Sequence, residues 1–311
     1  MQETSISSTL KSHLNDERVK NAVVVKSKIL EKSSNFLRNN GFVELLPTII
    51  SPVTDPLNHE VFNTSINYYN QNYKLTQSMI FHKQLAVSVY EKIFIVSPNI
   101  RLETSEKSNS GKHLFEFTQI DLEIRNTTRE EIMLLLENLF VYVIEEIINN
   151  CANELEKLNS KVSVPKQPFK KISFLDAQKH YGNNFEKKLS EDLDEPAWLI
   201  DIPIWEREFY DKLSSDGITL KDMDLIWPGG FGEGLSGGER EFEYSSIMKR
   251  LDGKEKDIDD LAWYLKIAEE GALVPSAGCG FGVERFTRYL CNLDHVKFTR
   301  LFPKIPGMLG I

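Results

Sequence analysis

The 311-residue chain has few cysteines, no long apolar run and no excess of basic charge, and each shortage excludes a class of protein. Its three cysteines, Cys151, Cys279 and Cys291, lack CxxC spacing, which argues against a zinc site and suits a reducing compartment. A net charge of −9 disfavours general binding to nucleic acid, which needs a basic field. The polar start does not resemble a secretory signal, and no segment is apolar enough to span a membrane. We therefore expect a cytoplasmic protein with no membrane partner.

The order of predicted elements favours an α+β fold, with a mostly antiparallel mixed sheet flanked by helices. Apolar residues at helical spacing predict an amphipathic helix over 21–39 and a longer one that Thr127-Thr128-x-Glu130 can cap. A strand-like run at 42–50 contains Pro47, which cannot donate to a ladder and so predicts a strand at an edge or an interface. Another short strand at 92–96 is expected to end at the following Ser-Pro.

The stretch from Arg101 to Ile124 predicts a β-hairpin, because a loop of Ser, Asn and Gly separates two apolar segments. Its charged side chains are candidate ligands for an anion such as phosphate: Arg101, Lys112 and His113. Phe117 is a candidate stacking surface, and Glu103 can accept from a donor group. A hairpin with solvated charges is the alternative interpretation of this stretch.

A second segment, Gly278 to Arg285, has alternating glycines before a predicted helix. It is not a dinucleotide fingerprint, because Val283 occupies the third glycine position of GxGxxG. Alternating glycines instead leave room for a planar ligand against the backbone, and Arg285 can stack its guanidinium on that plane. The physical picture is an adenine held between Phe117 and Arg285.

These segments together resemble the three sequence motifs of class II aminoacyl-tRNA synthetases. Arg101-x-Glu103 with Lys112-His113-x-x-Glu116-Phe117-Thr118 is similar to motif 2, and Gly278 to Arg285 is similar to motif 3. Gly41-Phe42-x-Glu44 with Pro47 resembles motif 1, the dimer motif. The resemblance implies the class II synthetase core fold and a homodimer, and divides the chain into an N-terminal polar segment, 1–22, and a catalytic domain, 23–311.

The subgroup that the chain resembles is that of aspartyl- and asparaginyl-tRNA synthetases. Glu233 to Arg240, with Gln77-Ser78 and Lys83-Gln84, carries this likeness. Within the subgroup, the segments LTQSMIFHKQ, VSPNIRLE, SGGERE and PSAGCGFGVER resemble the archaeal asparagine synthetases, which have the catalytic core without an anticodon-binding domain. Too few residues precede the motif 1 helix for such a domain, so tRNA is not expected as a partner.

The resemblance implies that ATP is a substrate and that Mg²⁺ accompanies it. Arg101 and Arg285 match the catalytic arginines, and Asp224 with Glu233 matches the acidic pair that holds the metal. Lys112 stands where these synthetases usually have Arg. It supplies a positive charge but lacks the planar guanidinium that can donate two parallel hydrogen bonds. The implied ATP-binding residues are Arg101, Glu103, Lys112, His113, Phe117, Glu233, Gly282 and Arg285.

The implied substrate-binding residues are Gln77, Lys83, Asp121, Ser236 and Arg240. Lys83 and Arg240 match a pair that grips a carboxylate, and two cations favour aspartate over asparagine because an amide leaves one cation unpaired. Asp121 matches the acceptor for the substrate ammonium. One departure is Ile80, which replaces the glutamine that orients the amino acid in the synthetases.

The expected function is therefore synthesis of asparagine from L-aspartate, ATP and ammonia through a β-aspartyl-adenylate, with release of AMP and pyrophosphate. No cysteine has a nucleophile context, so free ammonia is the expected nitrogen source. Three alternatives remain open. They are an aspartyl- or asparaginyl-tRNA synthetase core, a non-catalytic paralogue that acts as a binding subunit, and an adenylating enzyme for another acidic substrate.

Overall fold

The computed structural model describes residues 6–252 and 258–308. Within these residues, no helix is long and apolar enough to cross a membrane. Ten α-helices are assigned in the described residues: α1 Ile6–Asn15, α2 Glu17–Asn39, α3 Ile80–Ala86, α4 Arg129–Asn150, α5 Ala152–Lys157, α6 Phe174–Tyr181, α7 Phe185–Asp192, α8 Tyr244–Leu251, α9 Ala262–Glu269 and α10 Val283–Leu290.

An eight-stranded mixed sheet forms the centre of the described structure, with the strand order β1-β5-β6-β11-β10-β9-β8-β7. The strands are β1 Val43–Leu45, β5 Lys92–Ile100, β6 Glu116–Arg125, β7 Lys170–Ser173, β8 Ala197–Ile200, β9 Asp222–Trp227, β10 Gly232–Glu239 and β11 Ser276–Gly282. Only the outer pairs, β1 with β5 and β7 with β8, are parallel. The predicted α+β fold with a mostly antiparallel mixed sheet is confirmed.

Three helices cover one face of this sheet and bury the main hydrophobic core. Helices α2, α4 and α10 carry apolar stripes, and Phe140, Trp227, Phe281 and Phe286 pack at their centre at ring-centroid distances of 5.0 to 6.2 Å. A capping box begins α4, but it pairs Thr128 with Glu131, one residue later than the predicted Thr127 and Glu130. This packed layer leaves the opposite face of the central strands to form the site.

The predicted hairpin is confirmed, but its first strand is longer than expected. Strand β5 continues through Pro98 to Ile100 and pairs with β6 along its whole length, so the prediction that Ser97-Pro98 ends the strand is wrong. The reason is that β1 pairs only with Ile93 to Ile95 of β5. Beyond Ile95 that side of β5 is an edge, where a proline removes no ladder hydrogen bond.

A small three-stranded sheet lies between α2 and α3 in the sequence. Strands β2 Ile50–Ser51, β3 Ser65–Tyr68 and β4 Gln71–Leu75 form it in the order β2-β4-β3. The run 42–50 is broken at Pro47, and its first part, β1, lies at the sheet edge as predicted. The division after residue 22 remains a prediction, and α2 runs across that position without a break.

Candidate active site

A cavity of about 460 Å³ opens on the face of β6, β10 and β11 that the helices leave free. Most residues singled out in the sequence line it: Lys83, Arg101, Glu103, Lys112, His113, Phe117, Asp121, Glu233, Ser236, Arg240, Gly282 and Arg285. Gln77 and Asp224 do not line it. Segments separated by more than 150 residues are thus brought together by the pairing of β6 with β11.

One end of the cavity holds two buried cations, each already paired with carboxylates. Lys83 Nζ lies 3.2 Å from Asp121 Oδ1 and donates to the Cys279 carbonyl at 2.8 Å. Arg240 donates through Nε to Glu123 at 3.1 Å and through Nη1 to Asp211 at 2.9 Å. Two cations therefore face three carboxylates, so counting cations does not select aspartate over asparagine, and that step of the sequence argument is wrong.

Asp121 has an oxygen ready for a ligand at this end. Its residue is 2% exposed, and Oδ2 is buried without a hydrogen-bond partner, although a buried carboxylate oxygen is normally satisfied. Burial raises the pKa of Asp121, while Lys83 lowers it. A ligand ammonium at Oδ2 supplies the missing donor and favours the charged carboxylate.

Arg101 lies between the two ends of the cavity, just after β5. Its Nε donates to the Gln77 carbonyl at 3.1 Å, and its guanidinium carbon lies 5.2 Å from the centre of the Phe117 ring. Gln77 thus holds Arg101 through its main-chain oxygen, and its predicted contact with the substrate stays a prediction. The guanidinium nearest the Phe117 ring belongs to Arg101, and an adenine between Phe117 and Arg285 also stays a prediction.

Glu103 and His59 form one wall of the cavity. Glu103 is 7% exposed, its Oε1 lies 3.1 Å from His59 Nε2, and its Oε2 is buried without a partner. A donor group of a ligand, such as an adenine amino group, can satisfy that oxygen. Glu103 was predicted from the sequence. His59 was not, because it lies in a loop of turn-forming residues with no motif around it.

The opposite end of the cavity is basic. His113 Nδ1 lies 2.6 Å from Ser110 Oγ, and Lys112 Nζ forms an ion pair with Glu186 Oε1 at 3.0 Å. Burial, Arg285 and Lys112 lower the pKa of His113 to about 3. Without a ligand, His113 is therefore a neutral hydrogen-bonding group, and Lys112 and Arg285 carry the positive charge at this end.

The depressed pKa of His113 predicts a specific loss of stability in acid. A histidine whose folded pKa lies below its usual value gives full stability above pH 6.5 and loses it as pH falls towards 3. We expect the free energy of unfolding to fall between pH 8 and pH 5 by about 1–2 kcal/mol more in the wild type than in His113→Gln. Urea unfolding at both pH values measures this difference, and equal losses in the two proteins contradict it.

Two carboxylates on neighbouring strands lie near the basic end. Arg285 Nη1 lies 3.3 Å from Glu233 Oε1 and also donates to the Glu233 carbonyl at 3.0 Å. Asp224 on β9 is the register partner of Ser236 on β10, and Arg207 Nη2 donates to its Oδ1 at 2.5 Å. Burial raises the pKa of Asp224 to about 6; Arg207 opposes this shift and the Glu233 charge adds to it.

The glycines of β11 serve a different purpose from the one predicted. A Cβ at Gly278 would lie 2.0 Å from Glu123 Oε2, and one at Gly280 would lie 2.7 Å from Asp121 Oδ1. The space that we assigned to a planar ligand is thus filled by carboxylates of β6. Gly280 and Gly282 nevertheless both line the open cavity, and the nearest side-chain neighbour of Gly282 is Arg285 at 3.7 Å.

Several cavity residues were not found from the sequence. Gln119 accepts from Asn99 and lies beside Gly280, and Tyr210 donates to Asp55 at 3.1 Å. Arg207 ion-pairs with two aspartates. The Arg-Glu-Phe-Tyr-Asp run at 207–211, which combines charges with aromatics, was the available signal in the sequence.

Comparison with known proteins agrees with this geometry. A family described as tRNA synthetases class II (D, K and N) matches residues 3–306. An asparagine–tRNA ligase of Malacoplasma penetrans is 29% identical over 92% of this chain and 70% of its own length. One of Thermococcus gammatolerans is 27% identical over 96% of this chain and 72% of its own length.

A solved structure gives the same result. The crystal structure of asparaginyl-tRNA synthetase from Pyrococcus horikoshii, complexed with asparaginyl-adenylate, superposes with a TM-score of 0.86 at 25% identity, covering 99% of this chain and 74% of that one. The reported relatives are tRNA ligases, so they give no support to the expectations of an asparagine synthetase and of no tRNA partner. The family match over residues 3–306 and the shared fold show that this chain belongs to the class II tRNA synthetases of the D, K and N group.

Proposed function

We propose that this chain adenylates aspartate or asparagine with ATP, as an asparaginyl-tRNA synthetase core does. A carboxylate oxygen of the amino acid attacks the α-phosphorus, the bond to the bridging oxygen of the β-phosphate breaks, and pyrophosphate leaves. The observation that carries the proposal is Arg101, fixed between an end suited to an amino acid and an end suited to phosphates. A guanidinium there stabilises the charge that builds on the phosphoryl oxygens.

The nucleotide would occupy the wall and the basic end of the cavity. Glu103 Oε2 would accept from the adenine amino group, and Phe117 and Arg285, which border the cavity with Gly282, would hold the base. Lys112 and His113 would contact the terminal phosphates. Because Glu186 holds Lys112 in the free protein, nucleotide binding requires Lys112 to exchange a carboxylate for a phosphate.

Asp224 and Glu233 fit Mg²⁺ bound together with a nucleotide. Burial and, after it, the Glu233 charge raise the pKa of Asp224. A cation between the two carboxylates would relieve their repulsion, and both offer the hard oxygen ligands that Mg²⁺ prefers. The described residues contain no group of three or more His, Cys, Asp or Glu that could hold a metal. The ion would therefore need phosphate oxygens to complete its shell, and it would neutralise phosphate charge.

The amino acid would bind at the end that contains Lys83 and Arg240. Asp121 Oδ2 would accept from the substrate ammonium, and Ser236 would line the space between amino acid and phosphates. Lys83 and Arg240 would hold the carboxylate or amide that does not react. Their existing partners Glu123 and Asp211 keep both cations fixed, so a ligand finds their remaining donors preorganised.

The acceptor of the adenylated amino acid defines two candidate functions. The asparagine–tRNA ligase relatives support transfer to tRNA. Transfer to ammonia, which would make asparagine from aspartate, is the second candidate. It is favoured by the surplus of negative charge at the amino-acid end, where Asp121, Glu123 and Asp211 outnumber Lys83 and Arg240 and so attract ammonium. The segment 105–111 that would face tRNA also contains Lys107 as its single basic residue.

A product assay distinguishes these candidates. The protein is incubated with ATP, Mg²⁺ and either aspartate or asparagine, with ammonium or with tRNA, and AMP, asparagine and aminoacyl-tRNA are quantified. Aminoacyl-tRNA without free asparagine supports the synthetase candidate. Equimolar asparagine and AMP from aspartate and ammonium support the second. Absence of amino-acid-dependent pyrophosphate exchange with either amino acid rejects adenylation itself.

We also propose a homodimer that forms through the β1 edge. Exposed apolar side chains cluster along β1 and β2, and Leu46 is 91% exposed. We expect Leu46→Asp to weaken self-association about ten-fold or more, because a carboxylate would be buried against an apolar partner surface. Sedimentation velocity across a concentration series measures this change.

A matched control uses Leu134 on α4, which is also exposed but lies away from this edge. Leu134→Asp should sediment like the wild type. If the two variants behave alike, or if the wild type is monomeric at all concentrations, the β1 edge is not the dimer surface.

A further inference from the structure

Arg207 pairs with Asp224, one of the two carboxylates that we assign to the metal, and a second contact with Asp222 holds its guanidinium in place. Its Nε donates to Asp222 Oδ2 at 3.1 Å while Nη2 donates to Asp224 Oδ1 at 2.5 Å. Asp222 is fully buried and its Oδ1 accepts from the Ile202 main chain at 3.0 Å. Nε is thus held by a fixed partner, and Nη2 reaches the pair of carboxylates, Asp224 and Glu233, that we assign to the metal.

The backbone that carries Arg207 is held separately from its side chain. Arg250 on α8 donates to the carbonyl of Glu208 at 2.7 Å and to that of Asp211 at 2.9 Å. The Arg207 side chain keeps 21% of its surface exposed and lines the cavity. Its guanidinium can therefore leave Asp224 by a side-chain rotation, without movement of the loop.

A divalent ion at Asp224 and the guanidinium of Arg207 cannot use the same oxygen at once. Two cations at one carboxylate repel each other, and in a largely buried site that repulsion is poorly screened. The ion binds only when Arg207 Nη2 moves away or when new negative charge offsets the repulsion. Triphosphate oxygens in the cavity would supply that charge.

We propose that Arg207 is a resident cation of the metal site, which competes with the free divalent ion for Asp224 and restricts tight metal binding to the nucleotide-bound protein. The inference rests on the proposed metal role of Asp224 and Glu233. Arg207 is then a positioning residue: it holds Asp224 in place through its contact with Oδ1, and it exchanges that carboxylate for the incoming metal–nucleotide.

The experiment measures binding of Mn²⁺ alone to the nucleotide-free full chain by electron paramagnetic resonance of the free ion. We expect Arg207→Gln to bind Mn²⁺ about ten-fold or more tightly than the wild type, because the competing charge is gone. Arg207→Lys, which keeps a charge but has no fork to span Asp222 and Asp224, should lie between them. Lys107→Gln removes a charge from the same cavity without touching either carboxylate, and should change the affinity about two-fold or less.

The proposal is overturned if removal of Arg207 does not increase the affinity for Mn²⁺. If Arg207→Gln binds Mn²⁺ as weakly as the wild type, or more weakly, Arg207 merely supports the fold. Arg207→Lys provides the same comparison if Arg207→Gln does not fold, and it must then bind Mn²⁺ more tightly than the wild type. If no variant binds Mn²⁺ even with ATP, the metal role of Asp224 and Glu233 fails too, whereas the product assay tests adenylation independently.

Discussion

Arg101→Ala is expected to lower the rate of adenylate formation by about 10³-fold or more, with a much smaller effect on nucleotide affinity. A positioned arginine on a transferring phosphoryl group has effects of this order, because it acts on charge that develops in the transition state. The Gln77 carbonyl and the Phe117 ring fix this guanidinium before the substrates arrive. Amino-acid-dependent exchange of pyrophosphate into ATP measures the step directly.

Two controls sharpen this result. Arg101→Lys keeps a positive charge but loses the fork that contacts two groups at once, so it should recover only part of the rate. Lys107→Gln removes a charge from the cavity margin and should exchange pyrophosphate within about three-fold of the wild type. A rate for Arg101→Ala within ten-fold of the wild type would show that phosphoryl charge is stabilised elsewhere.

Gly278→Ala is expected to prevent stable folding, or to lower the free energy of unfolding by about 3 kcal/mol or more. The added methyl group would lie 2.2 Å from the Leu122 carbonyl, which is backbone and cannot turn aside. It would also lie 2.0 Å from Glu123 Oε2, which is needed to hold Arg240. Soluble yield and urea unfolding followed by tryptophan fluorescence measure the effect.

The neighbouring glycine provides the comparison for this prediction. At Gly280 the added methyl group would meet Asp121 Oδ1 at 2.7 Å, and that atom ends a side chain that can rotate. Gly280→Ala should therefore fold with a smaller loss of stability, and should bind the amino acid poorly because Asp121 is displaced. Equal stability losses at the two positions would refute the distinction between backbone and side-chain contact.

Much of the fold could be predicted because local patterns and long-range pairing agree. The stripe of α4 is buried as its helical spacing indicates, and β1, which ends before Pro47, lies at the sheet edge. Pro98 shows the limit of this reasoning. Whether a proline ends a strand depends on which side of that strand is paired, and the length of β1 decides this from fifty residues away.

The candidate site also contains residues that the sequence predicts and residues that it does not. Residues within recognisable motifs, such as Arg101 and His113, line the cavity, because short segments with a fixed geometry carry them. The partners of the charged residues could not be predicted. Glu186 pairs with Lys112 across 74 residues, and Arg207 reaches Asp224 from a loop without a motif. These partners determine how much charge is available to a ligand.

The pairing of β6 with β11 has a consequence for synthesis of the protein. Register partners such as Arg125 and Ser276 lie about 150 residues apart, and both strands carry residues of the cavity. A nascent chain therefore exposes the buried carboxylates of β6 until β11 leaves the ribosome, and loop closure over that distance is slow. Fragments that stop before Ser276 should lack the cavity entirely, so a cell gains no partial activity from an interrupted product.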